Sequence, residues 1–171
     1  MDILFFSVLV LYLVAVVLQF IGAIFKKEKL LKAAWLVFLA GFIGNSAYMV
    51  VRGIAAHRLP LSNQFEFATA FAWGIALLLI FLKMKKSSDW LATIAMPAAF
   101  LVLSYAALQP KEITELMPAL RSAWFGLHIG SAVFSYSAFV LAGCTGLRRI
   151  LTARRNEEKG ELKIQQMDFL S

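Results

Sequence analysis

The hydrophobic pattern of the chain consists of five long apolar stretches, separated by clusters of charge or by loops that contain proline. These stretches cover residues 3–25, 33–51, 65–82, 90–108 and 122–147. A helix needs about 20 mostly apolar residues to cross a bilayer, because the hydrocarbon layer is about 30 Å thick and a helix rises about 1.5 Å per residue. Lipid offers no hydrogen-bond partner to backbone groups, so each stretch is predicted to be helical. The predicted fold is therefore an all-α, polytopic transmembrane bundle.

The first and third stretches are the two that could be interpreted differently. Residues 3–25 have the position of a secretory signal, but they lack a basic leader and their apolar run is too long for one. Lys26 and Lys27 follow directly, and we therefore expect a permanent span. The third stretch is the weakest of the five, because Glu66 lies at its start.

Composition supports the membrane assignment and narrows the chemistry. Hydrophobic residues make up 61% of the chain and charged residues 16%, against about 45–50% and 25% in soluble domains. The single cysteine, Cys144, excludes an internal disulfide and a Cys-x-x-Cys thiol pair. The sequence contains no phosphate-binding loop, dinucleotide fingerprint or metalloprotease motif. A self-contained enzyme is not expected, and no catalytic residue is assigned.

Positive charge alternates between the two sides of the predicted membrane. Thirteen of the 17 lysines and arginines lie in the segments 26–32 and 83–86 and after residue 147; the other four are Arg52, Arg58, Lys111 and Arg121. Because basic loops stay in the cytoplasm, the larger set is predicted to be inside. The N-terminus and the loops 52–64 and 109–121 are then outside.

This topology also divides the chain and limits its partners. Residues 1–151 are predicted to form the bundle, and residues 152–171 a charged cytoplasmic tail or a linker to a next span. The net charge of +7 is spread over separate loops, away from the aromatic residues. That distribution excludes nucleic acid as a partner and leaves a weak attraction to anionic lipid.

Polar side chains within the spans form three stripes at helical spacing, each densest near the predicted outer end. The stripes are Asn45, Tyr48 and Arg52; Asn63, Glu66 and Trp73; and Trp124, His128, Ser131 and Ser135. Polar groups in a span face the bundle interior or a cavity. We expect the stripes to converge on one pocket at the outer boundary, with Asn63, Glu66, Arg52 and Tyr136 as its pocket or structural residues.

Arg52 and Glu66 fall at the same predicted boundary. A partly buried carboxylate needs a cationic or hydrogen-bonding partner to stay charged, so we predict that the two residues form an ion pair. The alternative is that Arg52 extends to interfacial water while Glu66 only begins a helix.

His128 is the strongest single candidate for a functional residue. The uncharged run 122–147 has 26 residues, about 39 Å at 1.5 Å per residue, so its first turns can protrude beyond the hydrocarbon. A neutral imidazole near that boundary can bind a metal; a hydrogen bond between helices is the simpler alternative. Gly126 and Gly130 have the Gly-x-x-x-Gly spacing of close helix packing. His57 lies in a loop and is more typical of a solvated histidine.

Two segments resemble one known family. Residues 53–73 read GIAAHRLPLSNQFEFATAFAW and contain the Ser-Asn, aromatic, Glu and Trp order of the system II cytochrome c biogenesis proteins of the CcsA or ResC type. Residues 117–139 read MPALRSAWFGLHIGSAVFSYSAF and resemble the family's Pro-x-Leu-x-Ser-x-Trp, then His, then Ser-Tyr-x-x-Phe. The order and separation of the two segments agree with the family.

The resemblance implies a haem-handling protein of a bacterial inner membrane that moves haem to the outer face and presents it to apocytochrome c. By position, His128 corresponds to a haem-ligating histidine that would bind the iron axially, with Trp124 as a neighbouring haem contact. His57 matches a frequent family position, and no ligand role is carried over to it. The implied cofactor is haem.

The chain also departs from the family, because the tryptophan-rich WWD segment and the later histidines are absent. It therefore resembles a front half, at most one part of a multi-subunit cytochrome c haem lyase. The implied partners are a WWD-bearing second half or subunit, the system II partner membrane protein, apocytochrome c and a thioredoxin-like thiol supplier. The alternatives are a non-catalytic membrane scaffold, a binding module for a quinone-type small molecule, and a truncated non-functional fragment.

Overall fold

Five helices account for most of the fold. A computed structural model describes residues 1–85, 90–113 and 122–168, with side chains up to residue 155. The helices are α1 (Asp2–Ile24), α2 (Glu28–Ala56), α3 (Gln64–Met84), α4 (Trp90–Ala107) and α5 (Ala123–Asp168). Each of the five is long and apolar enough to cross a membrane, and no strand occurs within the described ranges.

The prediction of an all-α transmembrane bundle is therefore confirmed. The orientation of the bundle in the membrane stays a prediction, as does the division at residue 151. Part of the predicted loop 109–121 and the last three residues of the chain lie outside the described residues.

Two helices differ in length from their predicted spans. The second begins at Glu28 and ends at Ala56, beyond both ends of the predicted 33–51. The fifth continues through the charged segment after residue 151 and ends at Asp168. Lys, Glu, Arg, Leu and Gln are good helix formers in water, so a helix does not have to end where the hydrocarbon ends. Hydropathy marks the membrane boundary, while propensity and capping mark the end of the helix.

The third helix is the centre of the bundle and the fifth lies at its edge. α3 packs against α2, α4 and α5, and α1 packs against α2 and α4. Within the apolar windows of these helices, 56% of α3 is buried but only 17% of α5. Small residues let α3 and α4 approach closely, as shown by the complete burial of Ala72, Ala76, Ala92, Ala95 and Ala99.

Gly74 of α3 determines how α5 docks. A Cβ added at Gly74 would collide with Ser137 Oγ and would lie 3.1 Å from Val133 Cγ1. Ser137 is fully buried there, and its hydroxyl donates to the carbonyl oxygens of Val133 at 2.7 Å and of Phe71 at 3.4 Å. The face of α5 that carries Ser137 is therefore fixed against α3.

Replacing this glycine should loosen the docking of α5. Gly74→Ala should lower stability by about 1–3 kcal/mol, the usual cost of overpacking a tight contact. The matched control is Gly143→Ala on α5, where an added Cβ meets nothing within 4 Å and the better helix propensity of Ala gives no loss. Thermal unfolding of the detergent-solubilised protein measures both variants. Equal melting temperatures for the two would contradict this account of the contact.

Candidate functional site

The predicted ion pair between Arg52 and Glu66 is present at one end of the bundle. Arg52 Nε lies 2.9 Å from Glu66 Oε1, and the two side chains are 3% and 0% exposed. A second cation that the sequence analysis did not single out joins the pair, because Arg58 Nη1 lies 2.7 Å from Glu66 Oε2. One buried carboxylate is thus shared by two guanidinium groups.

Local backbone structure explains how Arg58 reaches Glu66. Helix α2 ends at Ala56, and its C-cap residue, His57, adopts the left-handed conformation with φ of 50°. The chain turns back there, and the amide of Arg58 donates to the carbonyl oxygen of Gly53 at 3.2 Å. His is one of the few residues apart from glycine that is enriched at positive φ. The exposed His57 therefore has a structural role as the C-cap of α2.

The start of α3 brings Glu66 to the same place. Asn63 is the N-cap of α3, and its side-chain oxygen accepts the amide of Glu66 at 2.8 Å. Asn at this position satisfies one of the free amides of a helix N-terminus. The backbone amide and the hydroxyl of Ser62 donate to Glu66 Oε2 at 2.9 and 3.0 Å. Sequence-level capping rules alone could have indicated the Asn63 contact.

Glu66 and its donors form a unit that we call the Glu66 clasp, made of Arg52, Arg58, Ser62, Asn63 and Glu66. Both carboxylate oxygens are engaged by guanidinium, hydroxyl and amide donors. Such saturation is what a buried charge requires. The clasp joins α2, the loop after it and α3, so its role is structural. Both oxygens of the Glu66 carboxylate already accept hydrogen bonds, so neither is free to transfer a proton.

The clasp also reaches the segment that follows α4. The carbonyl oxygen of Glu112 accepts hydrogen bonds from Arg52 Nη2 at 3.4 Å and from Asn63 Nδ2 at 3.3 Å. The end of the bundle that contains the clasp is called the clasp end below. The opposite end, where α3 ends just after Lys83 and α5 passes Arg148, is called the basic end.

A cavity of about 750 Å³ lies beside the clasp, between α3, α4 and α5. Its walls are apolar and largely aromatic, and they include Phe67, Phe71, Leu101, Tyr105, Phe125 and Ile129. Its polar rim is formed by Ser62, Asn63 and Gln64. Two clasp residues thus belong to the rim, so the clasp fixes the shape of this opening.

Tyr136, one of the predicted pocket residues, lies against the same cavity walls. Its ring centroid is 6.2 Å from those of Phe67 and Phe71, in edge-to-face contact with each. Half of the residue remains exposed. Tyr136 therefore borders the cavity from α5 without lying among the lining residues.

The structure brings the first two polar stripes together. Asn45, Tyr48 and Arg52 are all buried along one face of α2. The side-chain amide of Asn45 donates to the carbonyl oxygen of Thr69 at 3.4 Å. Trp73 Nε1 donates to Ser46 Oγ at 2.8 Å. The facing polar sides of α2 and α3 therefore bond to each other, as expected for polar groups inside a membrane bundle.

The third stripe does not join them. Trp124, His128, Ser131 and Ser135 are all exposed, and Trp124 is 78% exposed. The reason is angular: His128 precedes the buried Ser137 by nine residues, and nine steps of about 100° place the two on opposite sides of a helix. With Ser137 docked at Gly74, the imidazole of His128 points away from the bundle and does not line the cavity.

The glycines near His128 are not both in close contact. A Cβ at Gly126 would lie 3.0 Å from Leu59, whereas one at Gly130 would meet nothing within 4 Å. The predicted close packing at the Gly-x-x-x-Gly spacing is thus absent at Gly130 within the described residues. The same part of the chain contains no group of three or more His, Cys, Asp or Glu residues that could hold a metal ion.

Comparison with known proteins gives a consistent family. Residues 61–170 match the model of the family described as cytochrome C assembly protein. The chain is 30% identical over 140 residues to the cytochrome c biogenesis protein CcsA of Prochlorococcus marinus (strain MIT 9312). The aligned region covers 79% of this chain and 45% of that relative.

Two further relatives carry the same name. The CcsA protein of Marchantia polymorpha is 32% identical over 118 residues, covering 65% of this chain and 37% of the relative. The CcsA protein of Guillardia theta is 26% identical over 162 residues, covering 88% and 52%. The chain therefore spans about half the length, or less, of the curated relatives that it matches.

The Glu66 clasp should dominate stability at its end of the bundle. Glu66→Ala leaves two guanidinium groups without their shared carboxylate, and breaking a buried ion pair costs about 3–5 kcal/mol. The control is Glu28→Ala, which removes an exposed carboxylate at the start of α2 and should cost well under about 1 kcal/mol. Thermal unfolding in detergent measures both. A Glu66 variant as stable as the Glu28 variant would rule out the clasp as a stabilising unit.

Proposed function

The chain belongs to the cytochrome c assembly protein family, and from this premise we propose that it binds haem and presents it for covalent attachment to apocytochrome c at the outer face of the membrane. Its role is that of one component of a system II cytochrome c haem lyase. The relatives named for cytochrome c biogenesis support the pathway, and the features of α5 support the ligand.

The observation that carries the proposal is the exposed stripe of α5. His128 and Trp124 lie one turn apart on the same exposed face of a helix that is apolar enough to span a membrane. At the membrane boundary, where the first turns of α5 are proposed to lie, an exposed imidazole and an exposed indole are open to a ligand or a protein partner. Haem offers both groups a partner, because it has an iron for the imidazole and a flat apolar macrocycle for the indole.

The residues present fit one side of a haem. His128 would supply a nitrogen ligand to the haem iron, with Trp124 beside it. The other histidine of the chain, His57, forms the C-cap of α2. A second ligand to the iron and the opposite wall would be supplied from outside the described residues. This requirement agrees with a partner that carries the family's WWD segment and later histidines.

The proposed role of each residue follows from this fit to haem. When bound, haem supplies the vinyl groups that react with the cysteine thiols of the apocytochrome. His128 would hold the haem iron and Trp124 would lie against the macrocycle, while Gly74 and Ser137 fix the rotation of α5 so that both rings face outward. The Glu66 clasp keeps the loop between α2 and α3 ordered next to the first turns of α5. A thioredoxin-like protein keeps the acceptor thiols reduced.

The proposed orientation puts the clasp end outside. The basic end carries most of the lysines and arginines, which resist translocation. His128, near the start of α5, then lies close to the outer boundary, where apocytochrome c is available. The proposed location is a bacterial inner membrane; the relatives also include chloroplast proteins.

A second candidate function is favoured by the cavity. Its volume of about 750 Å³, its aromatic walls and its polar rim suit a quinone-type molecule with a hydrogen-bonding head and an apolar tail. No histidine lines it. In that case the chain is a non-catalytic binding module or scaffold within the same assembly system.

Substituting His128 should separate the two functions. Purified wild-type chain reconstituted with haem is expected to show a Soret band that His128→Asn removes or weakens strongly, because the imidazole nitrogen is the proposed iron ligand. The matched control is His57→Asn, which tolerates the left-handed conformation at that position and should keep the band. Absorption spectroscopy measures all three proteins.

The opposite result has a clear meaning. Identical Soret bands in the wild type and in His128→Asn would remove His128 from the site. Absence of haem under every reconstitution, together with saturable binding of a quinone analogue, would replace the haem proposal with the quinone-binding function. A cavity-filling change, Ala68→Leu, should then abolish the binding of the analogue, since Ala68 lines that space.

A further inference from the structure

The basic end of the bundle contains a second cavity, remote from the Glu66 clasp. It has a volume of about 460 Å³ and lies where the first residue of α4 faces α5. Its lining residues are Trp90, Thr145, Arg148, Arg149, Thr152 and Ala153. Unlike the cavity at the clasp end, this one is bordered by two cationic side chains.

The α5 residues of this cavity share one face of the helix. Thr145, Arg148, Arg149 and Thr152 are spaced as i, i+3, i+4 and i+7, the spacing that aligns side chains on a helix. Guanidinium and hydroxyl groups are the donors that phosphate oxygens accept, and arginine does so with two parallel N–H groups. The hydroxyl of Thr145 already donates to the carbonyl oxygen of Ala142 at 2.7 Å, so the donors that this face presents to a phosphate are the two guanidinium groups and the hydroxyl of Thr152.

One of the two arginines is held in place before any ligand binds. The guanidinium carbon of Arg148 lies 4.1 Å from the centre of the Trp90 ring, a cation–π contact. Stacking on the ring face leaves the N–H groups at the edge of the guanidinium available. Within the described residues, neither Arg148 nor Arg149 forms a salt bridge with a carboxylate. Two cations thus border one cavity without a described counter-ion.

The position of the cavity along α5 indicates the source of the phosphate. From Trp124 to Arg148 is 24 residues along α5, about 36 Å, slightly more than the thickness of the hydrocarbon layer. If one end of this segment is at one boundary, the other end is at the opposite boundary. Trp90 belongs to the residue type enriched at that level. A phosphate held there is at the depth of lipid headgroups.

We propose that Trp90, Arg148 and Arg149, with the hydroxyl group of Thr152, form a specific binding site for the headgroup of an anionic phospholipid at the basic end of the bundle. The acyl chains of this lipid lie along α4 and α5 in the hydrocarbon. The site anchors α5, the least buried of the helices, at the end opposite His128. It does not depend on haem binding or on the proposed function.

The experiment compares two pairs of arginines on the same helix. Arg148→Gln with Arg149→Gln removes the cavity cations, and Arg154→Gln with Arg155→Gln removes the same charge from positions that do not line the cavity. The full chain in detergent is mixed with phosphatidylglycerol, phosphatidylcholine or inorganic phosphate, and native mass spectrometry measures the bound fraction. Melting temperatures establish that both double variants fold.

The expected result is retention of phosphatidylglycerol in preference to phosphatidylcholine by the wild type and the Arg154/Arg155 variant. The Arg148/Arg149 variant should bind phosphatidylglycerol about thirtyfold more weakly, as expected from the loss of two phosphate contacts. Trp90→Phe should keep more of the binding than Trp90→Leu, because phenylalanine preserves a ring face.

Three outcomes would overturn the proposal. Equal losses in the two double variants would mean a diffuse attraction to the basic surface. Equal retention of phosphatidylcholine would mean that the anionic charge is not recognised. Binding of inorganic phosphate as tight as that of phosphatidylglycerol would mean a soluble anion site. The same measurements on His128→Asn, which leaves the basic end unchanged, keep this test independent of the haem proposal.

Discussion

The arrangement of the clasp end depends on the burial of one carboxylate. Glu66 is 1% exposed at the start of a membrane helix, where an unpaired charge is costly. Satisfying it requires donors from α2, from the loop after α2 and from α3, and this requirement determines the path of the loop. Ser62 and Asn63 of the clasp also form part of the rim of the adjacent cavity. The shape of the opening therefore depends on how the buried charge of Glu66 is satisfied.

The features that depend on local sequence were predictable. Five apolar stretches gave five helices, because lipid forces each stretch to satisfy its own backbone. The pairing of Arg52 with Glu66 was predictable from their common depth in the membrane. The part played by Arg58 was not, because it depends on the left-handed backbone at His57, which turns the chain back toward Gly53. The sequence around His57 does not predict that turn.

Periodicity has a related limit, visible in α5. It correctly groups Trp124, His128, Ser131 and Ser135 on one face, but it does not say which direction that face takes. The direction is set by the contact of Ser137 with Gly74 in α3, a match of a small hydroxyl side chain with a missing Cβ that is recognisable only when both helices are in place. Two stripes that can bond to each other do so inside the bundle, and the third lies on the outside.

The rotation of α5 has a consequence for how any haem site could be completed. Turning the imidazole inward by half a turn would withdraw Ser137 from Gly74, and would move Phe125 and Ile129 out of the cavity wall. It would also pull Arg148 off the ring of Trp90 at the other end. Since these contacts lie at three levels along one helix, α5 is held against rotation along its length. A site that uses His128 is therefore completed by adding a wall from outside the bundle, and a family in which relatives are about twice as long has further chain from which such a wall can be made.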